Sequence, residues 1–273
     1  MSNIFAKAKP ATKLEVEDDY VGGGGFILDT DIYPAKIKYA YIGKSNSSKA
    51  QNLTLCVVIN GKELTRQIWM TNGQGEVTYK DKKTNELKNL PGYNQVNGLC
   101  MLLASKEVGE MEVEEKTLNL YDYDAKKEVP QAVDCFTELH GVDCQIAIQR
   151  ITVDKNKKND STGEYEPTGE TRDENEFIKF FPENALVTIS EVQHFIQSLG
   201  GDFEDVLRDG DLDKAISKME DDGAYAAKWL ETNRGKTWNK STGAAKEGKS
   251  FGGGKSGGGS EPAKKKKSDL FDD

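Results

Sequence analysis

Asn52-Leu53-Thr54-Leu55-Cys56-Val57-Val58-Ile59 runs into Asn60-Gly61 and leaves through Glu63-Leu64-Thr65-Arg66-Gln67-Ile68-Trp69-Met70. The first run is compact and β-branched, as a strand requires. A two-residue Asn-Gly connection suits a turn with positive φ at both central positions. The stretch therefore predicts a β-hairpin, and with it a β-rich fold. Upstream, Asp31 to Ile42 alternates charged and apolar residues over Lys36 to Tyr39, the pattern of a half-exposed strand. Downstream, the polar segment Thr71 to Asn89 predicts a loop or a protruding hairpin. Gly92 to Lys106 reads as partly helical, with Val96, Leu99, Cys100, Leu102 and Leu103 able to share one face. Strands resume near Leu118 to Tyr123, Ala132 to Leu139 and Asp143 to Val153. Residues 154–175 are nearly free of apolar side chains and predict a long exposed loop, before Glu176 to Phe181 re-enters the core as a short strand.

After Pro182 the periodicity changes from strand to helix. Thr188 stands three residues before Glu191, the spacing of a capping box, and Gly200-Gly201 ends that helix. Further helical runs cover Leu212 to Met219 and Ala224 to Thr232. From Gly235 onward the composition is low-complexity, with two Gly-Gly-Gly runs and Lys264 to Lys267, which predicts a flexible tether. The expected organisation is a flexible lead over 1–25, a binding domain over 26–182, an acidic helical segment over 183–232 packed on or beside it, and a disordered Gly/Lys-rich tail over 233–273. The fold class expected is mainly β with a small helical segment.

Several function classes fall away on composition. The chain has 273 residues, 36% of them hydrophobic and 30% charged, and a net charge of −9. No apolar stretch approaches the roughly 20 residues that span a bilayer, and no secretory signal opens the sequence. Its four cysteines, Cys56, Cys100, Cys135 and Cys144, then point to a reduced, cytoplasmic setting. There are only two histidines, and no nucleophile elbow, Walker loop or zincin motif. Gly22 to Gly25 lacks the lysine and helix of a phosphate loop and reads as a linker. Paired acids at the ends of apolar strands, which a metal-dependent nuclease needs, are missing. The chain is therefore expected to be no enzyme and to need no cofactor. Cys135, His140 and Cys144 form a weak zinc candidate, because a closed structural site needs four ligands.

Phosphate binding depends on local cation density and not on the total charge. Single strands are held by a cationic groove lined with aromatic faces on which bases stack. The β region supplies Lys36, Lys38, Tyr41, Arg66 and Trp69 on its first strands, and Tyr79, Lys80, Lys82 and Lys83 in the polar loop. Tyr93, Arg150 and Lys155 extend the set. At the other end, Asp269-Leu270-Phe271-Asp272-Asp273 places two apolar side chains among acids on a glycine-rich tether, which suits docking into a basic, apolar-floored pocket.

This layout resembles the phage and bacterial single-stranded DNA-binding proteins of replication, the phage-encoded ones above all. The resemblance implies an OB-fold-like five-stranded barrel with insertions that binds single strands without reading sequence. It also implies an acidic tip that recruits replication, recombination or repair proteins, in the host cytoplasm if the protein is viral. Asp31 to Tyr41, Leu53 to Ile59, Leu64 to Met70, Ala132 to Leu139 and Asp143 to Val153 would take the five strand positions. Phe271 is not terminal and the segment 183–232 has no place in a minimal OB domain, and both depart from the family pattern. The alternative is an acidic structural or protein–protein adaptor without a DNA site.

Overall fold

A computed structural model describes residues 26–122, 125, 127–159, 165–219 and 223–242. The lead over 1–25 and the tail beyond Thr242, with its tip, lie outside the described residues. The chain forms β1 (Asp31–Lys44), β2 (Gln51–Ile59), β3 (Lys62–Trp69), β4 (Thr78–Lys80), β5 (Leu87–Asn89), α1 (Pro91–Ala104), β6 (Val113–Asp122), β7 (Lys127–Phe136), β8 (Asp143–Lys158) and β9 (Tyr165–Pro182). Four helices follow, α2 (Ile189–Ser198), α3 (Phe203–Arg208), α4 (Leu212–Ile216) and α5 (Ala224–Asn233), and then β10 (Thr237–Asn239). The fold is thus mainly β, with a helical segment after the sheet.

The hairpin of β2 and β3 turns at Asn60 and Gly61, with φ of 51° and 75°. Its register pairs Val57 with Leu64, Leu55 with Arg66 and Leu53 with Ile68 on one face, and Cys56 with Thr65 and Thr54 with Gln67 on the other. The main sheet runs β10-β8-β1-β2-β3, with β7 paired to β1 and β6, and β9 to β8. Strand β1 organises it. Asp31 to Lys36 pairs with β8, Lys36 to Lys44 pairs with β2, and Tyr41 lies opposite Cys135 of β7.

Among the described residues no ladder closes the strands into the expected barrel. Strand β3 pairs with β2 alone among the described ladders. Gly92, in the first turn of α1, sits so close to the end of β3 that a Cβ there would come within 2.0 Å of the Trp69 carbonyl oxygen. Arg66 Nε donates to the Asn175 carbonyl of β9.

Two compact units divide the chain. The first, residues 26–151 and 174–238 of the described chain, holds the core. Ile37, Leu53, Leu55, Val57, Ile59, Ile146 and Ile148 are fully buried beneath α1. A second cluster joins Leu102 and Val187 to Val192, Ile196, Leu207, Leu212 and Ile216 of the helices. Thr188 caps α2 reciprocally with Glu191, as its spacing predicts.

The second unit, with described residues 152–173 and 239–242, corrects the expected loop at 154–175. Strands β8 and β9 extend through it as far as Lys158 and from Tyr165. Asp154 accepts from the Thr242 amide at 2.9 Å, and Thr152 Oγ1 donates to Asp173 at 2.7 Å. Ladder bonds satisfy this backbone while its side chains stay polar on both faces, so neither alternation nor an apolar run marks it as strand. Helix α3 is also an addition. Its six residues are too few to show a period, although Asp202 caps it through the Glu204 and Asp205 amides.

Candidate functional site

The face of β1, β2 and β3 turned away from α1 carries the aromatic residues, and a backbone irregularity puts them there. Between Ile37 and Tyr39 the register slips, leaving Lys38 as an extra residue. Ile37 faces the core opposite Val57, whereas Tyr39 lies opposite Cys56 on the outer face. A bulged strand changes parity at the extra residue. Lys36, Lys38, Tyr39 and Tyr41 therefore share the outer face, though alternation alone separates the lysines from the tyrosines. The two rings lie 6.0 Å apart and tilted by 37°, and Lys38 Nζ stands 5.9 Å from the Tyr39 centroid. Burial pushes the Tyr39 phenol up to about 12, helped by the neighbouring Cys56 thiol.

Trp69 occupies the end of the same face, opposite Asn52, and keeps 45% of its surface exposed. The β6–β7 hairpin lines this face and leaves two recesses. One, of about 500 Å³, is lined by Lys38, Tyr39, Glu63, Thr65, Thr117, Leu118, Asn119, Tyr121 and Glu128. The other, of about 430 Å³, includes Tyr41, Gly43, Lys44, Asn52, Thr54, Gln67, Glu115, Gln131 and Asp134. Tyr121, half-exposed on β6, and Tyr39 are the rings that sequence reasoning left out of the site. The strand pattern Thr117-Leu118-Asn119-Leu120-Tyr121 was the available signal for the first.

The lysines of this face are paired. Lys36 Nζ meets Asp143 at 2.7 Å, Lys38 meets Glu63 at 2.5 Å, and Lys44 meets Asp134 at 3.5 Å. The hydrogen bond to Glu63 raises the Lys38 pKa above the ordinary lysine value. The two recesses together hold Lys38 and Lys44 against Glu63, Glu115, Glu128 and Asp134. An acid majority repels phosphate, while carboxylates accept hydrogen bonds from amino groups. The recesses therefore suit neutral, donor-bearing rings better than anions.

Other expected site residues lie elsewhere. Arg66 points to the core face opposite Leu55, where its guanidinium bonds the Asn175 carbonyl and, at 2.7 Å, the Thr65 carbonyl. Tyr79 and Lys80 stand on the small β4–β5 hairpin, whose turn contains Lys82 and Lys83. Residues 78–89 carry four lysines against Asp81 and Glu86, so this hairpin is locally cationic. Asp81 is held below the usual carboxylate range, chiefly by Lys88 at 2.8 Å. Tyr93 lies in the first turn of α1 and lines neither recess; burial raises its pKa, as does the nearby Glu107. Arg150 Nη1 bonds Asp29 at 3.0 Å. Lys155 belongs to the second unit, paired with Glu170 at 2.7 Å.

The zinc candidate does not assemble. His140 Nε2 sits 3.2 Å from the Ala40 amide, as acceptor. Cys135 Sγ points at the Val133 carbonyl, and Cys144 is buried opposite Ala35 on β8. Among the described residues no group of three or more histidines, cysteines or acids is placed to hold a metal. Among them, too, no helix is long and apolar enough to cross a membrane. The tip residues Asp269, Leu270, Phe271, Asp272 and Asp273 lie outside the described residues. No protein-family model matches the chain, and no curated protein matches it.

Proposed function

We propose that this is a non-catalytic single-stranded DNA-binding protein, and that its strands β1, β2, β3, β7 and β8 form an open variant of the OB layout. The reading is carried by one observation: Tyr39 and Tyr41, half-buried, and the exposed Trp69 are gathered on a single sheet face, bordered by Lys36, Lys38 and Lys44. Aromatic faces beside cations are what a single strand needs, because every base has a π-face and each phosphate needs a counter-charge. The acids in the recesses set the polarity. Bases would enter, stack on the rings and donate amino or, for thymine, imide N–H protons to the carboxylates. Phosphates would stay outside, against the β4–β5 lysines and the border lysines released from their acid partners. Partner recruitment in replication, recombination or repair through Leu270 and Phe271 belongs to the same reading.

The test is a titration of labelled oligo-dT and of the matching duplex at several salt concentrations. Preference for the single strand and affinity that falls with salt are expected, since phosphate contacts release counterions. Equal affinity for duplex, or a flat salt response, overturns the reading. The acid majority in the recesses favours a second reading, an adaptor that receives a cationic peptide there. It predicts no oligonucleotide binding and salt-sensitive capture of lysine-rich peptides.

A further inference from the structure

Helices α2, α3 and α4 enclose a small recess of about 220 Å³ outside the aromatic face. Phe195, Ile196 and Leu199 of the α2 end, Val206 of α3 and Ala215 of α4 make it apolar, and Lys214 and Lys218 stand at its rim. Leu199 is 67% exposed, on a surface that is otherwise charged. Leu199 adjoins the apolar lining of the recess, and a contiguous apolar patch rimmed by polar residues is the kind of surface that receives a partner. Lys214 is bonded to Asp211 at 2.5 Å, and Lys218 stands one helical turn further on. Two lysines against one aspartate give this spot a positive sign within an acidic helical segment. The nearby acid Asp205 is taken up by Arg208 at 2.6 Å.

We propose that this recess docks an acid-flanked Leu-Phe segment, and that its occupant is Asp269–Asp273 of a second copy of this chain. The match is chemical. Phe271 supplies one large ring for a recess with room for about one, Leu270 covers Leu199, and Asp269, Asp272 and Asp273 face Lys214 and Lys218. Apolar anchors provide most of the affinity in such contacts, and the charges provide register and selectivity. That the occupant comes from a second copy rests on the single-strand reading: copies lined along one strand reach a high effective concentration for each other. The fit of segment to recess does not depend on it.

Disulfide trapping between two full-length variants tests the proposal. One copy carries Ser198→Cys, an exposed position beside Leu199, and the other Ser268→Cys, which leaves Leu270 and Phe271 in place, mixed without nucleic acid and oxidised with diamide. The native cysteines are all buried and do not compete. A covalent heterodimer is expected, in clear excess over a pairing of Ser268→Cys with Arg208→Cys, an exposed position outside the recess. Adding Lys214→Glu and Lys218→Glu to the first copy is expected to lower the yield about two- to five-fold, the effect of reversing two solvated ion pairs. A yield no higher than the Arg208→Cys control, or one that charge reversal leaves unchanged, overturns the docking. A second arm adds oligo-dT, which is expected to raise the yield. If the first arm succeeds and this rise is missing, docking stands and the alignment of copies along a strand is overturned.

Discussion

Tyr39 and Tyr41 carry the most direct expectation at the scale of single residues. A stacked base contributes about 1–3 kcal/mol, so Tyr39→Ala, Tyr41→Ala and Trp69→Ala should each weaken oligo-dT binding by roughly 5- to 100-fold. Anisotropy titration of variants whose melting curve is native measures this, and three native affinities would remove the stacking face. Arg66→Ala should behave in the opposite way. Its guanidinium serves the backbone of β9 and not the aromatic face, so the melting temperature should fall while the folded variant binds DNA as the parent does. A selective loss of affinity would mean that Arg66 reaches the strand. These two outcomes separate residues that sequence alone could not. Alternation assigned Arg66 and Trp69 to opposite faces of one strand but could not say which face was the solvated one. The burial of Leu64 and Ile68 beside Arg66 settles it.

Among elements, the β4–β5 hairpin is the cationic one, and its lysines at the turn are exposed. Lys82→Ala with Lys83→Ala should lower the slope of log affinity against log salt by about 0.7 for each phosphate that the hairpin no longer neutralises. An unchanged slope excludes this hairpin from the interface. The element scale also shows where sequence was legible. The β2–β3 hairpin was readable because Asn60-Gly61 demands one turn geometry, and α2 because its cap and its apolar stripe agree. The outer half of β6, over 113–117, and the outer parts of β8 and β9 were harder to read for a common reason. Their stability comes from pairing, and a strand that is polar on both faces leaves no periodic mark. The recesses were illegible because they depend on which distant strands meet.

For the whole molecule, the net charge of −9 gives the tail a calculable effect. Removing Ser268 to Asp273 should leave the melting curve unchanged, because the segment is too polar to belong to a core. Single-strand affinity should stay equal or rise, most at low salt, because three aspartates no longer compete with phosphate. Pull-down of replication or recombination proteins should be lost, and Phe271→Ala should reproduce that loss alone. An unfolded or weaker-binding deletion would place the tip within the binding domain. Charge and composition told this much before any fold was known. That β3 finds no second ladder among the described residues could not be foreseen, since it depends on which distant elements meet.

Lys38 sets the phase of everything after it in β1. Deleting that residue would leave Ile37 opposite Val57 and Tyr39 opposite Cys56 in a regular pleat, so both faces would keep their side chains; flattening the bulge with Lys38 retained would instead exchange the two faces from that point on and drive Tyr39 and Tyr41 into the space now filled by Ala40 and Ile42. The preceding half, paired with β8 over Asp31 to Lys36, would keep its phase. A one-residue deletion at Lys38 is therefore a milder edit than one further along β1, which would put every following side chain on the other face, and the connection between β4 and β5 can likewise grow or shrink with its two flanking strands still in step. Natural variation in this protein should accordingly admit a chain one residue shorter between Ile37 and Tyr39 more readily than one shortened between Tyr39 and Lys44.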